Sequence, residues 1–188
     1  IVLTAEDGNG GIATQSYTLA VSLHSLEISG ETSFRMFSSP VSGTIYGDLL
    51  DELWTQGAEG SDNPNSNPNI WTFGNEWNSV TDFSTDALTA GQGFLMYVYA
   101  DTDFDGVDDL PVTISIDGEH QQSAVSVSSE PSAWNMMGNP YGLAVDISQM
   151  VSDNDGRFNK TVYALDQDNP GYKSVSYTHL TLPTSGGV

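Results

Sequence analysis

Tyr17, Leu19, Val21 and Leu23 alternate with small or polar residues, the two-residue period of a half-buried strand. With "IVLTAE" ahead of them and the turn-forming "EDGNGG" between, residues 1–23 read as two strands around a turn. Further strand-like runs fall near 69–74, 77–81, 93–100, 111–117 and 123–129. Phe34 to Phe37 and Trp134 to Met137 are shorter runs, each stopped by a proline turn, because proline has no N–H to give a ladder. One segment breaks the period. In "YGDLLDELW", Leu49, Leu50, Leu53 and Trp54 are spaced to share a helical face, and "VDISQMV" is its shorter counterpart. Residues 57–69, "GAEGSDNPNSNPN", are rich in Gly, Asn, Pro and Ser and read as a loop. The pattern predicts an all-β fold, an antiparallel β-sandwich of jelly-roll or immunoglobulin-like type with one or two short helices.

The pattern also repeats. "FRMFSSPVSGTIYGDLL" from Phe34 and "WNMMGNPYGLAVDISQM" from Trp134 align at a spacing of 100, matching Met36 to Met136, Pro40 to Pro140, Ile45 to Val145 and Leu50 to Met150. Each copy continues to an aromatic pair in a strand-like setting, Trp71 and Trp77 in the first, Tyr163 and Tyr172 in the second. The first copy runs on to "ALTAGQGFLMYVYA"; the second has no counterpart.

Three resemblances bear on this organisation. "IVLTAEDGNGGIATQSYTLAVSL" resembles the last hairpin of cadherin-like and immunoglobulin-like repeats in large bacterial surface proteins. "WNMMGNPYGLAVDI" and "LTAGQGFLMYV" are similar to the GWNLxGNPY and AGQGF segments in β-rich regions of large secreted Bacteroidota-type proteins. That likeness implies a secreted or surface-tethered β-domain and brings no catalytic residues with it. "VSYTHLTLPT", residues 175–184, resembles the translation of a transposon-end adapter used in preparing DNA libraries. The expected organisation is therefore a remnant hairpin over 1–25, a first sandwich repeat over 26–132 and the truncated start of a second over 133–174. An adapter-derived tail over 175–188, which includes His179, follows, and the fold is expected to be incomplete at both ends.

Charge narrows the function. Four basic residues (Arg35, Arg157, Lys160, Lys173) face 25 Asp and Glu, for a formal net charge of −21. Such a surface repels phosphate backbones and anionic lipid, so neither nucleic acid nor membrane insertion is expected. The longest apolar run, "GFLMYVYA", is strand-sized. With no cysteine there is no disulfide, thiolate metal site or cysteine nucleophile.

The chemistry that remains is concentrated in "DTDFDGVDD", residues 101–109. Calcium takes six to eight oxygen ligands, and alternate aspartates on a short loop supply them from one side. Asp101, Asp103 and Asp105 stand at positions 1, 3 and 5 of D-x-D-x-D-G. Gly106 takes the sharp turn, the carbonyl of Val107 falls at position 7 and Asp109 at position 9, while position 12 is Val112 rather than Glu. The loop is closer to the Asp-rich loops of thrombospondin type 3 and dockerin-like repeats than to an EF-hand. The competing reading is an acidic turn whose carboxylates face water. Structural Ca2+ binding, with an affinity on the order of 10⁻⁴ to 10⁻³ M, is the expectation. "DNDG" at 153–156 has too few ligands and reads as an Asx turn.

Other constellations carry less. His24 and His120 lie near strand ends with no G-x-S-x-G serine to pair with, and read as surface histidines. Trp54, Trp71 and Trp77 admit two readings, core packing, which the repeat favours, or a platform that stacks on sugar rings. The expected function is a non-catalytic structural or adhesive module of an extracellular or cell-surface protein. Its expected partners are other modules of the same polypeptide, glycans or cell-surface proteins. The alternative is a carbohydrate-binding module of a secreted hydrolase.

Overall fold

The computed structural model describes residues 2–6, 12–16, 22–118, 121, 123–126, 133–141, 145–146, 161–166, 171–176 and 181–182. Among them the chain is mostly β, with open antiparallel sheets and one short helix. Strands β1 (Val2–Glu6) and β2 (Ile12–Ser16) form a hairpin. β3 (Ser22–Ile28) pairs with β8 (Val112–Gly118), from Ser22 opposite Gly118 to Ile28 opposite Val112. That ladder runs across residue 25, and His24 lies in it opposite Ile116. The largest sheet has four strands in the order β4 (Ser33–Ser38), β7 (Gly93–Val98), β5 (Ile70–Phe73), β6 (Trp77–Ser79). Two small pairs complete the set: β10 (Thr161–Asp166) with β11 (Gly171–Ser176), and β9 (Val145–Asp146) with β12 (Thr181–Leu182).

The strand alternation decides which side chains are buried. Along β7, Phe94, Met96 and Val98 are buried while Leu95 and Tyr97 are half-buried on the other face; along β4, Arg35 and Phe37 are buried and Phe34 is exposed. The inward set joins Ile28 of β3 and Ile114 and Ile116 of β8 in one core cluster, to which the segment 41–58 adds Val41, Tyr46, Leu49, Leu50 and Leu53. Phe37 stacks on Phe94, and Tyr46 meets Phe94 edge-on. Burial, with Asp86 nearby, pushes the Tyr46 hydroxyl up to about 12, because both disfavour the phenolate.

Several local expectations are corrected. The helix α1 covers only Tyr46–Leu49. Its first N–H groups are met not by a side-chain cap but by the 83–86 turn, Tyr46 N donating to Asp86 O and Gly47 N to Phe83 O. Without a cap the helix does not propagate; Leu50 and Leu53 are nevertheless buried, and Trp54 is half-buried. Trp134 to Met137 is not a strand, since Met137 makes a single bridge to Gln92. Residues 123–126 carry no strand, and 127–129 lie outside the described residues. At the segment expected to be a second helix, Val145–Asp146 is a strand, and 147–151 lie outside the described residues, as do 17–21, 153–156, His120 and His179. The preference for core tryptophans also fails. None of the four belongs to the core cluster, Trp54 and Trp71 being half-buried and Trp77 and Trp134 exposed.

Candidate metal site

The acidic loop leaves the end of β7 and returns to β8, and its neck is closed by backbone bonds. Asp109 N donates to Ala100 O at 2.8 Å, Leu110 N donates to the same oxygen at 3.3 Å, and Ala100 N donates to Thr32 Oγ1 at 2.9 Å. Within the neck the aspartates fold the backbone around themselves. Asp101 accepts from Asp105 N (3.2 Å) through Oδ1 and from Gly106 N (2.9 Å) through Oδ2, and Asp103 Oδ1 also accepts from Asp105 N (3.1 Å). Asp105 Oδ1 accepts from Val107 N at 2.9 Å. Asp109 Oδ2 accepts from Thr102 N at 2.7 Å and from Thr102 Oγ1 at 3.1 Å. The tight turn needs two left-handed residues, Gly106 at φ 98° and Phe104 at φ 60°. Glycine takes that region freely, whereas for a bulky residue it costs roughly 1–2 kcal/mol.

The result is convergence. Asp101, Asp103 and Asp109 each present one carboxylate oxygen, all within 4.8 Å of one another. Calcium–oxygen bonds of about 2.3–2.6 Å put any two ligands of one ion no more than about 5 Å apart, so the three oxygens fit one calcium shell. Asp105 does not belong to this group, and its carboxylate is engaged with the Val107 amide instead. Val107 is exposed at the loop's rim. Asp101 is half-buried, and the other carboxylates of the loop are exposed.

Among the described residues no basic side chain stands beside this charge. Arg35 is the one basic residue whose side chain is described; it is 7 % exposed, and its Nη2 donates to the Glu31 carbonyl at 3.0 Å. Its Nε has no partner, and burial lowers its pKa.

Phe104 is the residue the sequence reading missed. It sits between two ligand candidates, 52 % exposed, yet its ring lies 4.4 Å from that of Trp54 and meets Tyr99 edge-on at 5.1 Å. From there the contacts run on through Tyr99–Tyr97 (5.1 Å), Tyr97–Phe34 (4.9 Å) and Phe34–Trp71 (6.0 Å). Trp77 packs edge-on against Phe73 at 4.9 Å. The rings thus line the outer face of the four-stranded sheet, tilted or edge-on to one another rather than coplanar. A D-F-D string beside a strand ending in "YVY" was the available signal.

The chain matches no family model, no curated protein and no solved structure.

Proposed function

We propose that the chain is a non-catalytic structural or adhesive module of a secreted or cell-surface modular protein, stiffened by calcium at residues 101–109. In this reading the β3–β8 pair and the four-stranded sheet are the two layers of a β-sandwich, a reading supported by the single core cluster drawn from both. The carrying observation is the convergence of Asp101, Asp103 and Asp109 in a chain of net charge −21, with no basic side chain described beside them. Like charges so close repel, and a divalent ion removes that repulsion while tying β7 to β8. The three carboxylates fall short of a full shell; the Val107 carbonyl and water complete it, which fits weak, extracellular-type affinity. Calorimetric titration of the whole chain with calcium tests this. Heat of binding that disappears in Asp101→Asn/Asp109→Asn is the expected result, and no heat in the parent chain overturns the reading.

One observation favours a second reading, a carbohydrate-binding module. Trp71 and Trp77 lie on the outer face of the sheet with Phe34, Tyr97 and Tyr99, where sugar rings stack on aromatic faces. Glycan-array binding lost on Trp77→Ala decides for it.

A further inference from the structure

The segment 133–141, which opens the second sequence repeat, does not stand apart from the first. Gly93 N donates to Met136 O at 3.4 Å, Gly138 N donates to Gly91 O at 3.0 Å, and Gln92 bridges Met137 in antiparallel sense. Two missing side chains make the approach possible. A Cβ on Gly93 would lie 2.7 Å from Met136 Cγ, and one on Gly138 would overlap the Cβ and Oγ of Ser38. Ser38 is the partner of Gly93 across the β4–β7 ladder, so the strap crosses the sheet at its first rung.

The strap also reproduces the segment it touches. At the start of the first repeat Val41 N donates to Ser39 Oγ at 3.0 Å around Pro40; in the strap Tyr141 N donates to Asn139 Oδ1 at 3.0 Å around Pro140. Both polar side chains are buried. Phe34 meets Trp71, and at the matching positions Trp134 meets Tyr163. Trp71 stands opposite Ser79 in the β5–β6 hairpin, as Tyr163 stands opposite Ser174 in β10–β11. The two openings therefore share local contacts, although Ser33–Ser38 is a strand and 134–137 is not, and Ser38 and Gly138, at matching positions of the sequence repeat, lie against each other.

We infer that the Ala90–Gly93 turn is a socket for the opening segment of the following repeat, so that successive repeats are locked together rather than strung on a free linker. The inference goes beyond the calcium reading and stands without it. It gives a reason for one of the differences between the two openings. The docked copy carries glycine where its backbone must pass over Ser38, whereas the first copy carries serine at that place.

The test uses the full chain in chelator, which keeps it independent of the acidic loop. Gln92 and Met137 form a non-hydrogen-bonded antiparallel pair, for which Cα atoms lie about 4.5 Å apart, within the range a disulfide spans. The chain has no cysteine of its own, so Gln92→Cys/Met137→Cys reports this joint alone. Under mild oxidant the crosslink is expected to form far faster than in the urea-unfolded chain. Adding Gly138→Ala slows it by about tenfold or more through lost effective concentration, and adding Ser38→Gly on top restores it. A crosslink no faster than in urea, one indifferent to Gly138→Ala, or a failure of Ser38→Gly to rescue overturns the inference.

Discussion

Two polar loops, one rich in Asn and one in Asp, hold their side chains differently. Residues 55–69 carry Asp62, Asn63, Asn65, Asn67 and Asn69, and 101–109 carry five aspartates. In the first loop Asp62 and Asn69 are answered from inside the protein. Asp62 Oδ2 accepts from Thr55 N and Thr55 Oγ1, both at 2.8 Å. Asn69, 1 % exposed, donates to the carbonyls of Trp54 and Tyr97 and accepts from Gln56 N. In the second loop the carboxylates are likewise met by backbone amides, both oxygens of Asp101 included, but Asp101, Asp103 and Asp109 also bring one oxygen each within 4.8 Å of one another. Among the described residues Asp62 belongs to no group of converging carboxylates, and that difference separates the two loops.

The largest expected effect breaks the first loop. Asn69→Ala leaves the Gln56 amide and the Trp54 and Tyr97 carbonyls without their buried partner, and unmade buried bonds cost about 1–3 kcal/mol each. A net loss of about 3 kcal/mol in urea unfolding is expected, the same with or without calcium. The second effect belongs to the other loop. With a dissociation constant on the order of 10⁻⁴ to 10⁻³ M, 10 mM calcium stabilises the fold by about 1.4–2.7 kcal/mol. Thermal unfolding should rise by several degrees in the parent and not in Asp101→Asn/Asp109→Asn. A calcium response in Asn69→Ala equal to the parent's shows that the two loops are energetically separate.

The sequence disclosed these two loops unequally, for a physical reason. Asp spacing and Gly106 announced the second, because a D-x-D-x-D-G string encodes its own turn. Strand positions of β4, β5, β7 and β8 were equally legible, since each is a short run rich in aromatic, β-branched or other apolar residues. The role of Asn69 was not, because its partners lie 13, 15 and 28 residues away and no local pattern records them. Asp105 was placed among the ligands by spacing, whereas its carboxylate turns to the Val107 amide. The tryptophans were misjudged for a related reason. Either face of a strand accepts aromatics, so large size alone does not say which face is core.

Phe104 sharpens the contrast, since it is the only link from the acidic loop's tip to the aromatic face seen among the described residues. Phe104→Ala keeps the unfavourable positive φ and loses the contacts with Trp54 and Tyr99, and should cost about 1 kcal/mol. Phe104→Gly loses the same contacts but regains the conformational strain, so its loss should be smaller. Calcium titrations of the two variants should both show weakened affinity, because the tip is no longer held. If Phe104→Gly is the worse of the two, the positive φ at this position is not a strain that glycine relieves.

The smallest effect is the most discriminating, because it is a difference in sign. Asp62→Asn and Asp109→Asn each remove one negative charge from a carboxylate that accepts from a threonine N–H and hydroxyl seven residues away. The amide oxygen can still accept those bonds, so what changes is charge. At position 62 the charge strengthens two short bonds with no other carboxylate in its cluster, and its loss should destabilise by about 0.5–1 kcal/mol. At position 109 the same charge also repels Asp101 and Asp103, so in chelator its removal should be neutral or stabilising by a few tenths of a kcal/mol. Adding calcium should reverse that order only at 109, where the variant gains less than the parent. Equal destabilisation at both positions without calcium would mean that the three carboxylates do not feel one another, and with that the reason for a cation at this loop would be gone.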